Sequence, residues 1–90
     1  MGHTVRQKTK LLNRVRRLRG QMEAIERALE AEVDCAEMLQ LVTSVRGAAN
    51  GLMAELMEDH VRLHVMEQEP GYKREKAADQ LIDIVRSYLK

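Results

Sequence analysis

Aromatic residues are almost missing from this sequence: Phe and Trp are absent, and Tyr72 and Tyr88 are the only 2 tyrosines in 90 residues. The core must therefore come from Leu, Ile, Val, Met and Ala, and a chain of this size buries only about two-thirds of its unfolded surface. Helices without large side chains then need a partner chain to complete the core, so oligomerisation is expected. Cys35 is the single cysteine, which excludes an intrachain disulfide and leaves a small hydrophobe, a nucleophile or a metal ligand. Long apolar runs are lacking too. None approaches the roughly 20 residues that span a bilayer, and the N-terminus has no signal-peptide core. A cytoplasmic protein with no membrane partner is expected, and Arg6 stands where a myristoylation motif needs Ser or Thr.

One end of the chain lacks acids. The net charge is only +1, yet Arg6, Lys8, Lys10, Arg14, Arg16, Arg17 and Arg19 all precede the first acidic residue, Glu23. A solvated helix face usually mixes signs, so this asymmetry points to a polyanion as partner for that end.

What is present is helical periodicity. Thr4 and Gln7 have capping-box spacing, and Leu11, Val15, Leu18, Met22, Ile25 and Leu29 follow at alternating spacings of four and three, which predicts a helix over about 5–29. Asp34 and Glu37 repeat the capping box. Met38, Val42, Val45, Ala49, Leu52, Leu56 and Leu63 then predict a second helix over about 35–66. Gly47 and Gly51 lie inside it at about 1 kcal/mol each relative to Ala, so close approach of another helix backbone is expected there. After Pro70-Gly71, the residues Ala78, Leu81, Ile82, Val85 and Leu89 predict a third helix over about 73–89. No strand pattern, repeat or long linker interrupts 1–90, so the fold class is all-α, a three-helix protomer forming a single domain.

On a helical wheel of the second helix, Cys35, His60 and His64 fall within about 40° of one another. Along the axis, however, the rise of about 1.5 Å per residue sets Cys35 nearly 40 Å from His60. Folding the first helix back through the short turn at 31–34 brings His3 to the end that carries His60 and His64 and leaves Cys35 at the other. An antiparallel dimer of such hairpins would join Cys35 of one chain to His3, His60 and His64 of the other, giving two equivalent intersubunit sites. Imidazoles four apart with a thiolate suit a borderline transition ion, whereas calcium or magnesium would require oxygen ligands. Cys35 also opens its helix, where the dipole favours a thiolate, so reaction with an electrophile is a second reading.

Arg6, Lys10, Arg14 and Arg17 share one face of the first helix beside the apolar seam, while Lys8, Arg16 and Arg19 point elsewhere. The former group is the candidate phosphate-binding face. With no short recognition helix and no aromatic platform for unpaired bases, double-stranded DNA is the expected polyanion. A two-fold assembly would present paired basic faces to an inverted repeat.

The stretches RVRRLRGQMEAIERAL (14–29) and VRGAANGLMAEL (45–56), with Cys35 and the closing SYLK, resemble the CsoR/RcnR family of bacterial metal and formaldehyde sensors over almost the whole chain. The resemblance implies an all-α dimer assembling as a dimer of dimers, a homotetramer that binds operator DNA, leaves it when an effector binds, and has no enzyme activity. It ties Arg14, Arg17 and Arg46 to DNA. His3, Cys35, His60 and His64 match the ligand pattern of the nickel and cobalt sensors, so Ni(II) or Co(II) is the implied effector and metal-efflux genes the implied targets. The amine of Gly2, once Met1 is removed, is a further implied ligand. Leu63 departs from the polar residue expected beside such a site. Copper sensors carry a second cysteine where this chain has His64, and formaldehyde sensors carry proline where it has Gly2. A formaldehyde-responsive repressor using Cys35 and the N-terminal amine is the alternative, and a helical interaction or metal-buffering protein is the alternative of another class.

Overall fold

A computed structural model describes the backbone of residues 5–90 and the side chains from residue 7 onward. Its elements are α1 (Val5–Glu30), α2 (Cys35–His60), a π-helical turn (Val61–Met66) and α3 (Tyr72–Tyr88). These agree with the expected helices to within a residue or so, except that the last six residues expected in the second helix are wound as π. There Glu67 N–H donates to Arg62 O at 2.9 Å, five residues back. Thr4 of the first capping box lies outside the described residues. Val5–Met53 form one compact unit, and Ala54–Lys90 belong to a second.

In the first unit, α1 ends in a Schellman turn. Val33 N–H donates to Ala28 O and Glu32 N–H to Leu29 O, both at 3.2 Å. Glu32 holds the left-handed position, φ 56°, where glycine is the usual occupant. Asp34 then caps α2, its Oδ1 accepting from Glu37 N–H at 2.8 Å, as the capping-box spacing requires.

The return is antiparallel. Gln21 Nε2 donates to Ser44 Oγ at 3.1 Å, and seven residues earlier on α1 the Arg14 guanidinium lies against Gly51, seven residues later on α2. The side chains withdrawn from solvent follow this register: Leu11, Arg14, Leu18, Gln21, Ile25 and Ala28 from α1, and Met38, Leu41, Val45, Ala48 and Leu52 from α2. Two expectations are corrected. Val15, Met22 and Leu29 of the expected α1 seam, and Val42 and Ala49 of the expected α2 seam, are exposed. The apolar stripe is wider than one neighbouring helix can cover, and α2 covers only the half that contains Leu11, Leu18 and Ile25. Gly47 also meets nothing within 4 Å of a built Cβ among the described residues, and the atom facing Gly51 belongs to a side chain, not to a backbone.

In the second unit, Pro70 and Gly71 reverse the chain, and α3 packs on the π-helical turn. Gly71 adopts φ 145°, a conformation that other residues rarely take. Its carbonyl accepts from Glu75 N–H at 3.0 Å to start α3. Ala77 and Asp59 are buried.

Candidate functional site

His60 is the last residue of α2 and His64 lies in the π-helical turn. Both are half-buried, and their ring centroids are 5.2 Å apart with planes inclined at 50°. His60 Nε2 is 2.8 Å from the main-chain carbonyl oxygen of Ala77 on α3. A carbonyl can only accept, so this nitrogen carries a proton, and in the neutral ring Nδ1 is the nitrogen with the lone pair. Metal-bound histidines are commonly held this way, one nitrogen donating to a carbonyl while the other faces the ion. The two rings open on a cavity of about 340 Å³ that Gln68, Lys73, Lys76, Ala77 and Gln80 complete.

No carboxylate lines that cavity, and among the described residues no three His, Cys, Asp or Glu side chains cluster to hold a metal. The donor set therefore fits a transition ion only in part: two imidazoles, one of fixed tautomer. Cys35 is exposed at the start of α2 and joins no such cluster. His3 and the amine of Gly2 lie outside the described residues. The α3 contribution was invisible in the sequence, because the group that orients His60 is a backbone carbonyl of an alanine. Only the reversal at Pro70-Gly71 hinted that α3 returns toward the histidines.

The basic face lies on α1 of the first unit. Lys10 and Arg17 are exposed, as are Lys8, Arg16 and Arg19. The side chain of Arg6 lies outside the described residues. Arg14 departs from the expectation that it stands beside the seam, because it is half-buried within it. Its Nη1 is 2.9 Å from the point a Cβ on Gly51 would occupy. An arginine can lay its aliphatic stem on a neighbouring helix and still offer part of its guanidinium to water. Arg46 is exposed on α2, on the same helix face as Cys35, Leu39 and Val42. No acid side chain occurs on α1 before Glu23, so nothing on that stretch neutralises the face from within. No described helix is long and apolar enough to cross a membrane.

Comparison with known proteins places this arrangement among relatives. The family described as metal-sensitive transcriptional repressor matches residues 7–87. An uncharacterized protein encoded in the bioA 5′ region of Serratia marcescens is 50% identical over 91 residues, covering 100% of both chains. A transcriptional repressor RcnR homolog of Escherichia coli O139:H28 is 38% identical over 90 residues, again covering 100% of both. Among solved structures, a glutamate-to-histidine variant of the formaldehyde-responsive regulator FrmR from Salmonella enterica serovar Typhimurium superposes with a TM-score of 0.85 at 40% identity. That match covers 96% of this chain and 98% of the other.

Proposed function

The chain belongs to the metal-sensitive transcriptional repressors, a family of regulators and not of enzymes, and from that premise we propose that it is a nickel- or cobalt-responsive repressor of metal-efflux genes in the cytoplasm. The observation that carries the choice of metal is the His60–His64 pair, with Nε2 of His60 bound to the Ala77 carbonyl and Nδ1 left for an ion. Imidazole nitrogen and thiolate sulfur select borderline transition ions over hard ones. His60 and His64 would hold Ni(II) or Co(II) with Cys35 of a second copy, His3 and the Gly2 amine. The ion supplies charge and a bond between two chains, and the protein supplies the orientation of the rings.

The second copy answers a need of the fold. Ala28 and Ala77 are the only buried hydrophobic residues described, while Val15, Met22, Leu29, Leu39 and Val42 form an exposed apolar surface on the helical hairpin. An antiparallel homodimer would cover it and bring Cys35 toward the histidines of the other chain, and two dimers would make the tetramer. Duplex operator DNA would meet Lys10, Arg14, Arg17, Arg46 and Arg6, each neutralised phosphate releasing counterions. Metal bound between chains would favour a dimer in which the basic faces no longer match the duplex. Because coupling is reciprocal, operator DNA must weaken metal binding by the same factor.

The test is fluorescence anisotropy on DNA from upstream of its own gene, titrated with Ni²⁺, Co²⁺, Zn²⁺, Cu⁺ and formaldehyde. Release by Ni²⁺ or Co²⁺ alone, lost in Cys35→Ala and His64→Ala, is the expected result. A second reading, a formaldehyde-responsive repressor, has the exposure of Cys35 in its favour. Release by formaldehyde that persists in His64→Ala and is lost in Cys35→Ala would replace the metal reading with it.

A further inference from the structure

We infer that Gly51 is a positioning residue for DNA binding: its missing side chain leaves a seat on α2 in which the guanidinium of Arg14 rests, presented to a phosphate. The inference rests on the reading that Arg14 touches the operator. Glycine inside a helix is disfavoured, so the position calls for a reason. The geometry supplies one. A Cβ built on Gly51 would stand 2.9 Å from Arg14 Nη1 and 3.9 Å from its Cζ, and among the described residues nothing else beyond its chain neighbours and its own helix backbone lies within 4 Å. At Gly47, one turn earlier, a Cβ would meet nothing within 4 Å among the described residues, so of these two glycines it is Gly51 that is approached.

The seat fixes the direction of a long side chain. Arg14 Nε is buried, which pins the stem and the plane of the guanidinium, while the residue keeps part of its surface in solvent. An arginine free in water must give up rotamer freedom when it binds a phosphate. One already seated has given up that freedom on folding, and the planar fork then meets the phosphate oriented. Lys10 and Arg17 of the same face are both exposed. The seat also ties the basic face of α1 to the helix that carries Cys35, so a shift of α2 along α1 would carry the guanidinium with it.

Gly51→Ala is a clean probe, because the atom that must move is the end of a flexible side chain. The full-length protein is titrated onto the same upstream DNA over a range of salt concentrations, as wild type, Gly51→Ala, Arg14→Ala and the double variant, with thermal unfolding of each. Arg14→Ala is expected to weaken binding and to reduce the salt slope by about 0.9 for each copy on the DNA, since each copy then neutralises one phosphate fewer. Gly51→Ala is expected to weaken binding by roughly two- to thirteenfold per copy, the range for freeing one long side chain, with the salt slope unchanged and the unfolding temperature not lowered. In the Arg14→Ala background Gly51→Ala should have no further effect. If Arg14→Ala weakens binding while Gly51→Ala leaves it unchanged or tightens it, the seat does not present Arg14 and the inference is wrong. An equal loss from Gly51→Ala in both backgrounds would overturn it as well, since Gly51 would then act without Arg14. If Arg14→Ala changes neither affinity nor slope, the DNA role of Arg14 fails first and the seat's function fails with it.

Discussion

Replacing Met22 by glutamate should dissociate the proposed dimer while leaving the hairpin folded. Met22 is 54% exposed, and its neighbours on the outer face are Val15 at 46%, Leu29 at 64%, Leu39 at 61% and Val42 at 48%. Completing the burial of a large apolar side chain from about half exposure is worth roughly 1 kcal/mol, half of the 1.5–3 kcal/mol for full burial. In the proposed dimer five such residues would contribute about 5 kcal/mol per chain and about 10 kcal/mol per dimer, comparable with the 4–15 kcal/mol that association costs. Glutamate at 22 would forfeit roughly 1 kcal/mol per chain and add a carboxylate whose desolvation costs about a further 1–1.5 kcal/mol per chain. A total of about 4–5 kcal/mol per dimer follows, which raises the dissociation constant by roughly a thousandfold. Sedimentation velocity across a dilution series, with helicity followed in parallel, measures it. Arg27→Glu, at an exposed position about 140° round the same helix from Met22, should leave the proposed dimer intact. An undiminished oligomer in Met22→Glu would refute the assignment of this face to a second copy, and loss of helicity at every concentration would show that Met22 supports the hairpin itself.

Two further substitutions test local structure. Glu32→Gly should stabilise the fold by about 1 kcal/mol in urea denaturation at fixed protein concentration, because the left-handed backbone at Glu32 carries a penalty that glycine lacks; a loss of stability would mean that the Glu32 side chain contributes more than its backbone costs. Asp34→Ala removes the acceptor for Glu37 N–H and should cost about 1 kcal/mol. It should also speed amide exchange in the first turn of α2, where Cys35 sits, and unchanged exchange would show that the cap does not order that turn.

The positions of three helices, the cap at Asp34 and the break at Pro70-Gly71 could be read from the chain because each is a local signal repeated at a fixed spacing. What failed was the choice between halves of a broad apolar stripe. Leu11, Val15, Leu18, Met22, Ile25 and Leu29 satisfy the heptad spacing whichever neighbour they meet, and the polar residues that share the true seam, Arg14 and Gln21, argue against it on composition alone. The π-helical turn leaves no signal either, since Leu63 continues the α-helical pattern through a segment wound differently. At the site, His60 and His64 were recognisable as a pair by spacing. Their connection to α3 was not, because it runs through the main chain of Ala77 and is independent of the side chain there. Glu32 is similar: a turn that normally takes glycine is made by a residue whose identity points elsewhere.

The hydrogen bond from His60 to Ala77 has a consequence for observation as well as for chemistry. An imidazole whose Nε2–H donates to a carbonyl is held in one tautomer, so its neutral ring keeps one protonated and one unprotonated nitrogen for as long as α3 stays docked. Nitrogen-15 spectra of the side chain would thus carry two separate messages. The Nε2 signal reports whether the C-terminal helix is in place, and the Nδ1 signal reports what binds that nitrogen. One residue already present in the protein can time the two events against each other, without an attached probe.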